Sequence, residues 1–281
     1  MEEFIMESYG KVNLALDILY KRNDGYHEIK SIMQRIDLKD RLIFKEIDKG
    51  LIIESNHPEV PKDTTNLVYR AWEKLREITG LSKGIKVIIE KNIPIAAGLA
   101  GGSTNGATTL LALNQLWDLN LTEKELIKIG KNLGADVPFC IMGGTALAEG
   151  IGDKLTKLKS LSNKHILLCN PGIKISTAYA YGKIQFSNKR IDIEGIISSI
   201  EEDNLKVLSE KMANSMETPM IGEYPIIGKI KSIMIENGAL GALMSGSGST
   251  VFGFYDDEDK MKSTQKKLLN ITDKVFISKT L

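Results

Sequence analysis

The chain is poor in the residues that staple or metallate small domains. It holds two cysteines, Cys140 and Cys169, and three histidines, His27, His57 and His165, in 281 residues. Two distant cysteines exclude a disulfide framework and a CxxC zinc site, and the histidines lack HExxH spacing. Net charge is nearly absent too: 37 Lys and Arg against 36 Asp and Glu leave +1. That argues against a nucleic-acid-binding protein, because binding by counterion release needs a basic face. No run approaches the ~20 apolar residues of a membrane span. The opening MEEFIMESYGK carries acids where a secretory signal carries bases, so a cytoplasmic location is expected. What is present is an ordinary soluble composition, 42% hydrophobic and 26% charged. At ~150 residues per domain the length suggests two domains or one large one, with enough chain to bury a core unaided.

The first ninety residues carry mostly strand signals. Lys11–Leu19 alternates, with Val12, Leu14, Leu16 and Ile18 on one face and Lys11, Asn13, Ala15 and Asp17 on the other. His27–Ile36, Arg41–Ile47 and Leu51–Glu54 are further strand candidates, separated by turns at Asn23-Asp24-Gly25, Lys39-Asp40 and Lys49-Gly50. A helix is expected over Asn66–Thr79, closed by Gly80, and a strand over Ile85–Glu90. Ala107–Trp117 reads as a helix, and Thr122-Glu123-Lys124-Glu125 is a capping box opening another that ends at Gly134. Strands follow at Thr145–Glu149 and Leu155–Leu158, and the polar stretch Lys157–Lys164 suggests a boundary between domains 1–158 and 159–281. The second half reads as strand His165–Asn170, helices near Thr177–Ile184, Ile191–Ile200, Leu205–Met212 and Pro225–Glu236, strand Thr250–Tyr255, helix Glu258–Asn270 and strand Lys274–Ser278. This mixture, without a regular βαβ repeat, predicts an α+β fold.

Five local features carry chemistry. Pro94–Gly106, PIAAGLAGGSTNG, follows a strand and opens a helix. Gly98, Gly101 and Gly102 permit positive φ and close backbone approach, and Ser103 and Thr104 are candidate caps. Exposed N–H groups and the helix dipole would then suit a phosphate, and the plainer alternative is a flexible turn. The loop lacks the Walker A lysine, no GxGxxG occurs, and HRD and DFG are absent. Gly238–Gly248, GALGALMSGSG, is a second glycine stretch, alternatively a tight hairpin. Lys11 and Asn13 share a strand face, although a lysine opposite an apolar face is ordinarily solvated. Gly134-Ala135-Asp136-Val137-Pro138 reads locally as a cap or turn. Asp24-Gly25-Tyr26-His27 reads as a β-turn, or as a corner whose rings could meet a nucleobase.

These pieces occur in the order used by one family. The sequence resembles the GHMP kinases, the superfamily named for galactose, homoserine, mevalonate and phosphomevalonate. The resemblance runs from about Tyr9 to Tyr255 through KVNLALDILYKRNDGYHEIKSIMQ, IPIAAGLAGGSTNGATTLLALNQLW, GADVPFCIMGGTALAEGIGD and MSGSGSTVFG. The DGYH corner points to the branch whose small-molecule substrate carries a cytidine diphosphate, an alcohol phosphorylated by ATP on the way to isoprenoid precursors. The resemblance implies an N-terminal domain like ribosomal S5 domain 2 and a ferredoxin-like C-terminal domain. It implies Asp136 as the base and Lys11 as its catalytic neighbour. ATP would meet Asn66, Lys91, Pro94, Gly98, Ala100, Gly101, Gly102, Ser103 and Thr104. Substrate would meet Asn13, Tyr26, His27, Thr177, Tyr181, Gly246, Ser247 and Gly248, with Tyr181 and Tyr26 sandwiching the cytosine. Mg²⁺ is expected with ATP, with no dedicated protein ligand evident. A monomer or weak homodimer is expected, with neither nucleic acid nor membrane as partner. Ala100 stands where some members have Gly, Thr104 where Ser is usual, and Ser249 where many have Pro. A kinase for another small alcohol, or a nucleotide-binding protein without catalysis, are the alternatives; the DGYH corner and the joint presence of Lys11 and Asp136 weigh against them.

Overall fold

The computed structural model describes residues 3–184, 186 and 190–281. The chain condenses into two compact units that interleave along the sequence. The first takes the segment ending at Gly10 together with Leu38–Ile93 and Ala100–Gly143; the second takes Lys11–Asp37, Pro94–Leu99 and Gly144–Leu281. Two long strands, β1 (Phe4–Lys21) and β2 (His27–Ile47), contribute to both.

In the first unit β3 (Leu51–Ser55), α1 (Leu67–Thr79), β4 (Gly84–Glu90), α2 (Gly101–Leu116), α3 (Glu123–Lys131) and α4 (Val137–Met142) follow in order. β4 pairs antiparallel with Arg41–Ile47 of β2 and parallel with β3. Ile85, Val87 and Ile89 alternate along β4 and are fully buried, while Val68, Ala71, Trp72 and Leu75 form one apolar stripe on α1. Gly80 and the Thr122–Glu125 box act as the sequence predicts, while the expected helix start Asn66 is the N-cap and α3 stops at Asn132 rather than Gly134. Asn66 Oδ1 accepts from the Val68 N–H, Gly80 takes the left-handed conformation, and Thr122 with Glu125 forms the capping box of α3.

One predicted turn is absent. Lys39-Asp40 lies inside the continuous strand β2. Asp40 is fully buried there; it accepts from the Asn92 and Ile93 N–H groups at 2.8 Å each and from Lys91 Nζ at 2.5 Å. These partners offset the burial of a carboxylate that local sequence assigns to a surface turn.

The second unit adds β5 (Thr145–Gly150), β6 (Lys154–Lys157), β7 (His165–Cys169), α5 (Thr177–Gly182), α6 (Ile193–Glu201), α7 (Leu205–Lys211), β8 (Ala213–Asn214), α8 (Glu217–Glu223), α9 (Pro225–Glu236), β9 (Gly241–Met244), β10 (Val251–Tyr255), α10 (Glu258–Leu268) and β11 (Val275–Lys279). β5 pairs with β2 and β6, and β8 lies parallel to β1 through Ala15 and Leu16. The seven-stranded sheet runs β3-β4-β2-β1-β8, with β5 and β6 off that path. A separate sheet, β11-β7-β10-β9, is antiparallel throughout. Its first strand lies between its fourth and third, with α9 and α10 packed on it: the split βαβ, ferredoxin-like arrangement. Met216, Met220, Met234, Met244 and Met261 join Leu167, Val251, Tyr255 and Leu268 in its core. The expected α+β class therefore holds. The sequence reading passed over α4, α8, β8 and β9, all short, with no room for a periodicity to develop. Among the described residues no helix is long and apolar enough to cross a membrane.

Candidate active site

The loop Pro94–Gly106 delivers a helix start earlier than its sequence suggests. α2 begins at Gly101, with Ala100 as N-cap at φ 58°, ψ 27° and no side-chain cap. Ser103 and Thr104 therefore lie inside the first turn and are not caps. Of the three glycines that permit positive φ, only Gly98 (φ 76°) uses it; Ala96 (φ 51°) and Ala100 take the other left-handed positions. Gly101 and Gly102 serve space instead. A Cβ on Gly101 would meet Lys91 Nζ at 2.9 Å and Ile93 Cγ2 at 3.1 Å, whereas one on Gly102 would meet nothing within 4 Å. The first intrahelical bond runs from Thr104 N–H to Ala100 O. The N–H groups of Gly101, Gly102 and Ser103 thus have no acceptor within the helix, at the positive end of a sixteen-residue dipole. This geometry suits a polyphosphate.

Asn66 and Lys91 are already engaged. Asn66 caps α1 and donates Nδ2–H to Pro61 O, and Lys91 is held in the buried ion pair with Asp40. Pro94 is half-buried at the loop entrance.

Asp136 occupies the N-cap position of α4, but its carboxylate makes no capping bond. The turn beneath it is built tightly. Arg70 donates to the carbonyls of Asn132 and Leu133 at the end of α3, and Gly130 leaves room for Val137 and Ile141, 2.9 and 3.0 Å from a would-be Cβ. Arg70 lies 62 and 63 residues before the two carbonyls it meets, so no local signal marks it.

In the second unit Lys11 and Asn13 are buried, against the expectation of a solvated polar face: they are 5% and 2% exposed. Lys11 Nζ donates to Asn13 Oδ1 at 2.6 Å. The second glycine stretch is indeed a hairpin turn between β9 and β10. Gly246 (φ 54°) and Gly248 (φ 86°) supply the left-handed residues its sequence offers. A Cβ on Gly246 would stand 3.3 Å from Asn13 Oδ1, so the turn abuts the Lys11–Asn13 pair. The turn is clasped to the neighbouring glycine segment. Ser245 Oγ–H donates to Gly98 O at 2.8 Å, and Thr250 N–H donates to Ala97 O. Asn214, unmarked in the sequence, donates to the carbonyls of Met244 and Gly246 from the two-residue strand β8.

The DGYH corner is a hairpin turn held by Arg22, which pairs with Asp24 and Glu28 at 2.9 and 2.8 Å. Tyr26 is exposed, while the His27 ring stacks on Tyr181 with centroids 4.6 Å apart and planes 15° from parallel. Tyr181 thus stacks on the ring next in sequence to Tyr26, its expected partner across a cytosine. Burial, with Lys21 nearby, holds His27 below the ordinary histidine pKa, so it is neutral at neutral pH. Thr177 starts the helix that carries Tyr181, and its hydroxyl lies 3.4 Å from Ser247 Oγ. Cys140 and Cys169 are buried and form no disulfide, and burial pushes the Cys169 thiol up to about 12, which removes it as a nucleophile.

Two family models match: the GHMP kinases N terminal domain over residues 66–144 and the GHMP kinases C terminal over residues 196–272. The 4-diphosphocytidyl-2-C-methyl-D-erythritol kinase of Caldicellulosiruptor bescii is 43% identical over 279 residues, 98% of this chain and 96% of that protein. The enzyme of the same name from Clostridioides difficile is 44% identical over 281 residues, covering 99% and 95%. A crystal structure of 4-(cytidine 5'-diphospho)-2C-methyl-D-erythritol kinase superposes with TM-score 0.84 at 30% identity, covering 99% of both chains. The homoserine kinase of Cytophaga hutchinsonii shares the fold, with TM-score 0.77 at 18% identity over 98% and 94% of the chains. With its glycine-opened helix, its clasped second turn and full-length relatives of one kind, the chain belongs to the GHMP kinase family.

Proposed function

We propose that the chain is the ATP-dependent kinase that phosphorylates the 2-hydroxyl of 4-diphosphocytidyl-2-C-methyl-D-erythritol, in the non-mevalonate route to isoprenoid precursors. The observation that carries this reading is α5. Its first residue, Thr177, meets the Ser247 hydroxyl of the glycine turn, and Tyr181, four residues on, stacks on His27. Four residues of helix span ~6 Å, so one short helix brings together a hydroxyl beside the glycine turn and an aromatic ring, which supports a substrate with a phosphate and a base.

In this reaction the carboxylate of Asp136 accepts the proton of the attacking hydroxyl. The oxygen bonds to the γ-phosphorus as the bond to ADP breaks, and Lys11 balances charge on the transferring group. The first turn of α2 holds the ATP phosphates. Among the described residues no three His, Cys, Asp or Glu side chains cluster as a metal site. Mg²⁺ would enter with ATP as part of the nucleotide substrate, and Thr104 would offer it a hydroxyl. Residues 158 and 159 are proposed as the boundary between the two family segments, in the gap between the matched models. A cytoplasmic monomer or weak homodimer is proposed as well; two buried cysteines that form no disulfide suit a reducing compartment.

A coupled assay of ADP release tests the reading. Turnover is expected with 4-diphosphocytidyl-2-C-methyl-D-erythritol and not with mevalonate or homoserine; turnover only with the latter two would overturn it. Asp136→Asn is expected to keep the fold and nucleotide binding while lowering kcat by about 10²–10⁴. Near-normal turnover in that variant would remove Asp136 as the base.

A further inference from the structure

Ser31 lies on β2 and is fully buried. Its hydroxyl donates to Ala15 O at 2.6 Å. A hydroxyl has one hydrogen, so toward its other neighbour Ser31 is only an acceptor. That neighbour is Asn13, whose amide nitrogen lies 2.8 Å from Ser31 Oγ. The amide is thereby oriented: Nδ2 must face Ser31, and Oδ1 must face Lys11 Nζ, 2.6 Å away. The polarity of the chain Lys11→Asn13→Ser31→Ala15 O is set at both ends, by an ammonium that only donates and a backbone carbonyl that only accepts. Lys11, Asn13 and Ser31 are all at most 5% exposed, so bulk water does not replace a missing member.

We propose that Ser31 is a positioning residue for Lys11, acting through Asn13. Without its hydroxyl the Asn13 amide keeps its Lys11 contact but loses the anchor on its other side. The amide then moves with the ammonium, and Lys11 leaves the position from which it balances charge on the phosphoryl group. The proposal rests on the kinase reading for its effect on turnover, but the orientation of Lys11 is measurable without substrate.

Ser31→Ala in the full chain is expected to lower kcat about tenfold with the ATP KM within about twofold. Ser31→Thr, which keeps the hydroxyl, restores kcat to within about threefold of the parent. In an Asn13→Asp background the carboxylate has no N–H to donate to Ser31, so that anchor is already gone and Ser31→Ala changes kcat less than about twofold. In ligand-free protein the Lys11 ¹³Cε resonance, assigned by its loss in Lys11→Arg, shifts in Ser31→Ala and returns in Ser31→Thr. If Ser31→Ala does not fold, as judged by its melt, Ser31→Cys takes its place. An unchanged kcat and Lys11 resonance in Ser31→Ala would overturn the proposal. An equal loss in both Asn13 backgrounds would do the same. If the parent chain fails to consume ATP with the cytidyl substrate, the kinase reading falls alone, and the Lys11 resonance decides the role of Ser31.

Discussion

The two glycine-rich loops solve different problems with the same residue. In Ser245–Thr250, glycine supplies backbone conformation: Gly246 and Gly248 both sit at positive φ, closing a hairpin between β9 and β10. In Pro94–Gly106, two of the left-handed positions are filled by Ala96 and Ala100, which carry the steric cost of that conformation, about 1–2 kcal/mol each. There Gly101 leaves room for Lys91, and Gly102 leaves the front of the helix bare. A glycine in a ligand loop is thus needed for φ at one position and for the missing side chain at another. The sequence alone does not tell the two uses apart.

Substitutions separate those uses. The largest effect is expected at Gly98, where both demands coincide: an added Cβ would lie 2.1 Å from Ser245 O, at φ 76°. Gly98→Ala should lose about 3 kcal/mol or more and abolish turnover, read by urea denaturation and the ADP assay. A variant with parental stability would break the contrast. Gly102→Ala comes next. It should leave stability unchanged or raised by about 0.5 kcal/mol, while the ATP KM rises about tenfold, because the methyl stands before the N–H groups. An unchanged KM would mean that this face does not meet nucleotide. Ala100→Gly is smaller still. Relief of the left-handed strain, offset by glycine's backbone entropy, should stabilise by about 0.5 kcal/mol and leave KM within about twofold.

The smallest effect involves neither loop. His27 has its folded-state pKa below its ordinary 6.5, chiefly through burial. Between the two values the unfolded chain binds more protons than the native one, so stability rises with pH. Its contribution is complete above about pH 6.5 and fades as pH falls below it. Melting temperatures measured across pH 5–8 should therefore drop less steeply on the acid side in His27→Gln than in the parent. Parallel curves would rule this out.

Much of the fold is legible because its signals are local. The Asn66 and Gly80 caps, the Thr122–Glu125 box and the DGYH turn each involve atoms a few residues apart. Legibility ended where partners are distant. Asp40 looks like a turn residue until Lys91, 51 positions on, is placed beside it. Lys11 looks solvated until the glycine turn abuts its partner Asn13. The stacking of Tyr181 on His27 likewise joins rings from distant parts of the chain.

By itself the sequence determined the α+β class, most element boundaries, both glycine loops and the family, because short-range capping, turn chemistry and contiguous motifs carry them. Only the tertiary structure decided which polar groups are buried and how they are oriented. That Ala100 rather than Gly101 takes the left-handed turn, that Asn214 holds the second loop and that Asn13 points its oxygen at Lys11 all depend on atoms far along the chain. A buried hydrogen-bonding group is satisfied by whatever packing brings to it, and packing is not a local property of sequence.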